Sequence, residues 1–146
     1  MGCDIHMHIE YRPLWVQENK NKREPDLEWF CWAEDVDGCG DYDMFGIIAG
    51  VRNSFIKPLV LPRGIPKNLG YQVKDRIERI GSDGHTHTWL TPKEFTIICA
   101  LRQLTDDALI ENYNICKEWL ALRDVLNTLA KHYGEKHVRL IVYFDS

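Results

Sequence analysis

Asp4-Ile5-His6-Met7-His8 and Asp83-Gly84-His85-Thr86-His87 repeat one pattern, D-x-H-x-H, in two widely separated places. Six histidines in 146 residues give roughly a quarter of one H-x-H pair by chance, and this chain has two. Imidazole and carboxylate together suit Zn, Mn, Fe or Ni. Asp4, His6, Asp83 and His85 are therefore the expected ligands of one or two divalent transition-metal ions. Such an ion lowers the pKa of a bound water and polarises a phosphoryl oxygen, which is the chemistry of phosphodiester hydrolysis. His87 and His8 complete the candidate catalytic set, as further ligands or as the general acid for the leaving oxygen. Glu10 joins them as a group that orients a ligand. Arg52 and Arg63 are candidate phosphate clamps, since a guanidinium holds two phosphate oxygens at once. Trp89 follows the second histidine pair closely enough to contact the same substrate. The competing reading makes the histidines ordinary strand residues, exposed or satisfied in the core.

These side chains need elements to hold them. From Cys3 to Tyr11 the chain alternates: Ile5, Met7, Ile9 and Tyr11 point one way, Asp4, His6, His8 and Glu10 the other. Period two predicts a strand, ended by Pro13, with Leu14–Gln17 as its hairpin partner. Asn19–Asp26 reads as a solvated loop and Leu27–Ala33 as another strand. Asp35–Asp43 is loop chemistry, with only a loose likeness to a calcium loop. Met44–Val51 predicts a short helix, and Lys57–Gly70, with its prolines and glycines, an irregular loop. Tyr71–Ile80 has helical character, and Gly81–Gly84 is a turn. Thr91-Pro92-Lys93-Glu94 carries a capping box with Pro at the first helical position. Thr105-Asp106-Asp107 offers a cap for a further helix, whose apolar stripe runs from Ile115 to Tyr133 and stops at Gly134. Val138–Phe144 closes the chain as a strand. The expected fold is a single α+β domain over residues 1–146. Its central sheet, mixed or antiparallel, contains the N- and C-terminal strands and is packed by helices from the C-terminal half.

The chain is 45% hydrophobic and 27% charged with a net charge of −4. That composition excludes extended disorder, and the length excludes a full (β/α)₈ barrel. The negative balance disfavours bulk electrostatic binding to nucleic acid and favours a small nucleotide over a long polymer. Five cysteines, none in a C-x-x-C pair, predict free thiols in a reducing cytoplasm rather than a disulfide framework. No apolar run is long enough to span a bilayer and none reads as a signal peptide, so no membrane partner is expected. Assembly with identical copies is compatible with this composition.

Several blocks occur together: the opening Met-Gly-Cys-Asp-Ile-His, Phe45–Asn53, Pro62-Arg63-Gly64-Ile65-Pro66, Asp83–Thr91, and Arg139–Asp145. In this order they resemble a small family of phage and prophage proteins that open with GCDIH and carry a D-x-H-x-H-x-W block. D-x-H-x-H also resembles the first-strand metal motif of amidohydrolase and PHP-type phosphoesterases, in ligand chemistry alone. The phage resemblance implies a bacterial host cytoplasm. The expected function is a metal-dependent phosphodiesterase acting on a nucleotide or nucleic-acid phosphodiester, with counter-defence against a cyclic-nucleotide signal as one use. The alternatives are a nucleotide-binding protein that sequesters its ligand, or a structural metal site in an interaction protein.

Overall fold

A computed structural model describes residues 2–18, 28–52, 56–108 and 115–146. The loop expected at Asn19–Asp26, and Leu27 of the second strand, lie outside them. Four strands form one antiparallel sheet in the order β2-β1-β4-β3. They are β1 (Asp4–Tyr11), β2 (Phe30–Ala33), β3 (Gly84–Leu90) and β4 (Val138–Asp145). The N- and C-terminal strands pair along their whole length, from Asp4 opposite Asp145 to Tyr11 opposite Val138. The fold is α+β, with the two terminal strands at its centre.

Residues directly opposite in an antiparallel pair share a face, so the alternation in β1 fixes that of β4. One face carries Met7, Ile9, Leu90, Leu140, Val142 and Phe144. It packs on α2 (Tyr42–Ala49), α4 (Pro92–Ala108) and α5 (Lys117–Tyr133) through Phe45, Ile48, Phe95, Ile98, Trp119, Leu122 and Leu126. Each fully buried side chain of this kind stabilises by about 1.5–3 kcal/mol. The second face is covered by α3 (Tyr71–Ile80), whose Val73 packs with Leu69 and Ile141 in a smaller cluster. Both faces of β4 are therefore buried, and any polar residue of β1 that faces α3 needs a partner.

Local signals set most element ends. Asp41 caps α2 through the Met44 N–H, and Gly50 closes that helix in the left-handed region. The capping box forms as its sequence demands: Glu94 N–H donates to Thr91 Oγ1 at 3.1 Å, and Thr91 N–H donates to Glu94 Oε1 at 2.9 Å. Three expectations are corrected. Leu14–Gln17 is no hairpin partner but part of a short helix, α1 (Leu14–Glu18). The Pro13 carbonyl opens it by accepting from Val16 and Gln17. Thr105-Asp106-Asp107 starts no new helix, because α4 continues through it to Ala108. Finally, Cys39 and Cys116 are joined in a disulfide, leaving Cys3, Cys31 and Cys99 free. Among the described residues no helix is long and apolar enough to cross a membrane.

Candidate functional site

The α3-facing side of the sheet holds the first histidine pair. His6 lies opposite Tyr143 and stacks on it, with ring centroids 5.1 Å apart and planes at 14°. Its Nε2 is 2.8 Å from Asp145 Oδ2. A carboxylate can only accept, so Nε2–H is the donor of this contact. The His6 and Asp145 side chains are 25% and 30% exposed, so this end of the row reaches solvent. His8 is fully buried, and both of its nitrogens are engaged. The Asp35 backbone N–H donates to Nδ1 at 3.1 Å, so the neutral ring carries its proton on Nε2, which lies 2.8 Å from Tyr143 Oη. Burial lowers the His8 pKa against the opposing pull of Asp35 and Glu34. Burial also pushes the Tyr143 hydroxyl up to about 12.

The second histidine pair is split by a bulge. His85 lies opposite Phe144 and Thr88 opposite Val142, so Thr86 and His87 together face only Tyr143. Thr86 takes up the extra residue at φ 53°, a left-handed conformation typical of bulges and unusual for a β-branched residue. His85 thereby faces the helix side, 6.2 Å from the Phe144 ring, with Nδ1 on Thr86 Oγ1 and Nε2 on Ser146 Oγ. His87 turns to the other side and stacks on Tyr143 at 5.5 Å and 22°. Burial, with His85 adding to it, lowers the His87 pKa.

The two motifs therefore flank β4, and the second joins the face of His6 and His8 only through His87, with the Tyr143 ring among the three. Asp83 ends a short turn, Gly81–Asp83, and is exposed, as is Asp4. Among the described residues, no three of Asp4, His6, His8, Glu10, Asp83, His85 and His87 bring ligand atoms within 4.8 Å of one another. These donors do not fit one shared ion. Glu10 has a different task. Fully buried, its Oε1 accepts from Arg139 Nη2 and Nε at 2.6 and 2.9 Å, and its Oε2 from the Gly70 N–H at 2.8 Å. Burial pushes its pKa up, opposed by the Arg139 guanidinium and the Gly70 N–H.

The same face opens into a cavity of about 590 Å³ at the other end of β4. Two tryptophan–arginine stacks wall it. Arg139 and Arg12 lie 3.9 and 4.7 Å over the Trp29 ring, and Arg63 lies 4.4 Å over the Trp89 ring. Each guanidinium is positioned from behind: Arg139 by Glu10 and Asn68, Arg12 by Glu28 and the Lys136 carbonyl, Arg63 by a two-point contact with Glu94. Lys67, Lys136 and Glu135 complete the charged lining. Five cationic side chains thus line the cavity against one carboxylate, with three more carboxylates behind the arginines. Two buried donors of lining residues, Trp29 Nε1–H and Arg12 Nε–H, have no acceptor among the described residues.

Of the expected substrate contacts, Arg63 and Trp89 line this cavity, and Arg52 is not among its lining residues. Sequence reasoning passed over Arg12, Lys67, Lys136 and Arg139. A signal existed for Arg139: it alternates with Val138 and Leu140, which puts it on the face away from the main core. Trp29 is 5% exposed, yet its ring is also a wall of the cavity. Comparison of the chain with family models, curated proteins and solved structures found no match.

Proposed function

We propose that this protein binds a nucleotide in the Trp29–Trp89 cavity and holds it without turning it over. One observation carries this reading: a cavity of small-molecule size is walled by two indoles and five cations. A volume of about 590 Å³ falls within the usual range for ligand sites. Phosphate oxygens accept from guanidinium and ammonium donors of the kind that line this cavity. Among the described residues neither Lys67 nor Lys136 makes an ion pair, which suits them to phosphate, while the indoles offer stacking and edge contact to a base. The resemblance to phage proteins fits the sequestration of a small nucleotide in a bacterial host.

Calorimetric titration of the whole chain with mononucleotides, cyclic dinucleotides and inorganic phosphate tests the reading, beside Trp89→Ala and a Lys67→Ala/Lys136→Ala double variant. The expected result is nucleotide binding that weakens by about 10-fold or more in each variant, with intact ligand recovered after denaturation. No binding by any nucleotide at about 1 mM refutes it, as does binding that both variants retain. A metal-stimulated product in place of intact ligand moves the assignment to the phosphodiesterase reading.

A further inference from the structure

Away from this face, one group of side chains has the chemistry of a metal site. Cys39, Cys116 and Glu118 each bring one ligand atom within 4.8 Å of the others, and they are the one such group among the described residues. Cys39 lies in the loop before α2, Cys116 is the N-cap of α5, and Glu118 is in that helix's first turn. The loop is held against the helix. A Cβ on Gly38 would lie 2.5 Å from the Trp119 ring and 2.8 Å from the Met7 methyl, so the chain passes there with no room to shift. The Cα atoms of the two cysteines are 6.4 Å apart, close enough for one ion to bridge their sulfurs.

We propose that in the reduced protein Cys39, Cys116 and Glu118 bind a zinc ion. Two thiolates and a carboxylate are a zinc donor set, and three protein ligands leave the fourth tetrahedral position open. That position has space: a cavity of about 450 Å³ is lined by both cysteines, Asp41, Tyr42 and Arg102. Asp41 is committed elsewhere, capping α2 and pairing with Arg102 at 2.9 Å, and Asp43, which also lines the cavity, brings no ligand atom into the group, so water or an exogenous ligand fills the fourth place. The Glu118 carboxylate oxygen lies 3.2 Å from Cys39 Sγ. Beside two thiolates that negative charge adds to a demand for a cation. The N-terminus of α5 also favours the Cys116 thiolate. The free thiols Cys31 and Cys99 contrast with this pair, since burial pushes both up to about 12 and keeps them protonated.

The disulfide and the ion exclude each other. With a phosphine reductant the S–S bond takes up two electrons and two protons from the phosphine and water, giving two thiols and the phosphine oxide. Zinc then displaces both thiol protons, and forms two Zn–S bonds and one Zn–O bond. A small-molecule disulfide that takes two electrons from the thiolates, and is itself released as two thiols with two protons from water, re-forms the Cys39–Cys116 bond and frees the ion.

The test uses the full chain, reduced with a phosphine and desalted anaerobically, then titrated with Co²⁺ as a spectroscopic stand-in and with Zn²⁺ in competition. The expected result is one ion per chain with a thiolate-to-cobalt charge-transfer band, no binding by the oxidised chain, and loss of the band in Cys39→Ser and Cys116→Ser. Glu118→Gln alters an exposed side chain and leaves both sulfurs in place. It should weaken zinc by about 10-fold or more, a loss that even outer partners of metal ligands produce. Three outcomes overturn the proposal: no ion on the reduced chain, cobalt bound without the band, or unchanged zinc affinity in Glu118→Gln.

Discussion

Replacing Glu10 by Gln should destabilise the protein by about 3–5 kcal/mol, the loss expected when one partner of a buried ion pair is removed. The magnitude follows from what Arg139 loses. Glu10 and Arg139 are 0% and 5% exposed, so neither charge has water to fall back on. Glu10 Oε1 takes two of the guanidinium's bonds and Oε2 takes the Gly70 N–H. A glutamine preserves volume but offers one oxygen. Its amide nitrogen must face either the guanidinium or the Gly70 N–H, donor against donor. Arg139 keeps Asn68, the Trp29 ring and at best one neutral amide oxygen in place of the carboxylate. For 146 residues the unfolding entropy is near 0.3 kcal/mol/K, so Tm should fall by about 10–15 °C. Urea unfolding of the wild type, Glu10→Gln, Arg139→Met and the double variant measures the effect. The double variant should lose about 2 kcal/mol less than the two single losses combined, because it removes both charges together. A Glu10→Gln protein within about 0.5 kcal/mol of the wild type would refute the structural role, and would return Glu10 to the candidate catalytic groups.

Two further predictions concern the histidine face. Burial lowers the His8 pKa below the ordinary 6.5, so beneath that pH the unfolded chain binds a proton that the native chain refuses. Stability should be full above about pH 6.5 and should fall as pH drops below it, by up to ~1.4 kcal/mol per pH unit from His8. His87 and His137, lowered in the same direction, add to this slope. Urea midpoints between about pH 5 and 8 should flatten in His8→Gln, and an unchanged slope would show that His8 does not carry it. Thr86→Gly should leave stability unchanged or raise it by up to about 1 kcal/mol, because glycine relieves the left-handed backbone at φ 53°. In a regular strand the same change would destabilise by about 1 kcal/mol, so a loss of that size in urea unfolding would refute the left-handed backbone as the source of the effect.

Elements whose cause is local were legible in the sequence. β1 and β4 announce themselves by alternation, and Thr91 with Glu94 by the reciprocal cap they form. Expectations failed where the deciding interaction is distant or where two local signals compete. The strand expected beside β1 was the next apolar stretch, but its main partner is β4, at the far end of the chain. Thr105-Asp106-Asp107 has cap chemistry, yet extending a formed helix adds a hydrogen bond per residue while a new start repeats the unfavourable nucleation. Cys39 and Cys116 are 77 residues apart, and no spacing rule connects them. At the candidate site, Arg63 and Trp89 were readable as types suited to a ligand. The acidic partners that aim the arginines were not, because register and loop packing choose them.

The bulge at Thr86 shows how one backbone detail assigns chemistry to a face. Were β3 regular beyond His85 opposite Phe144, Thr86 would face Tyr143 and His87 would face Val142, in the apolar core. Thr88 would then face Ile141, and Trp89 would lie with Leu140 against the helices. One extra residue shifts every later side chain by a face. His87 comes to stack on Tyr143, and buried Thr88 lies opposite Val142, where its Oγ1 accepts from the Arg63 N–H at 3.1 Å. Trp89 turns toward α3, into the cavity and beneath the Arg63 guanidinium. The residue that pulls His85 away from His87 is thus the one that brings Trp89 and Arg63 together. Strict alternation through Asp83–Trp89 favours a shared histidine ligand set; the bulged strand spends that motif on the tryptophan wall of the cavity.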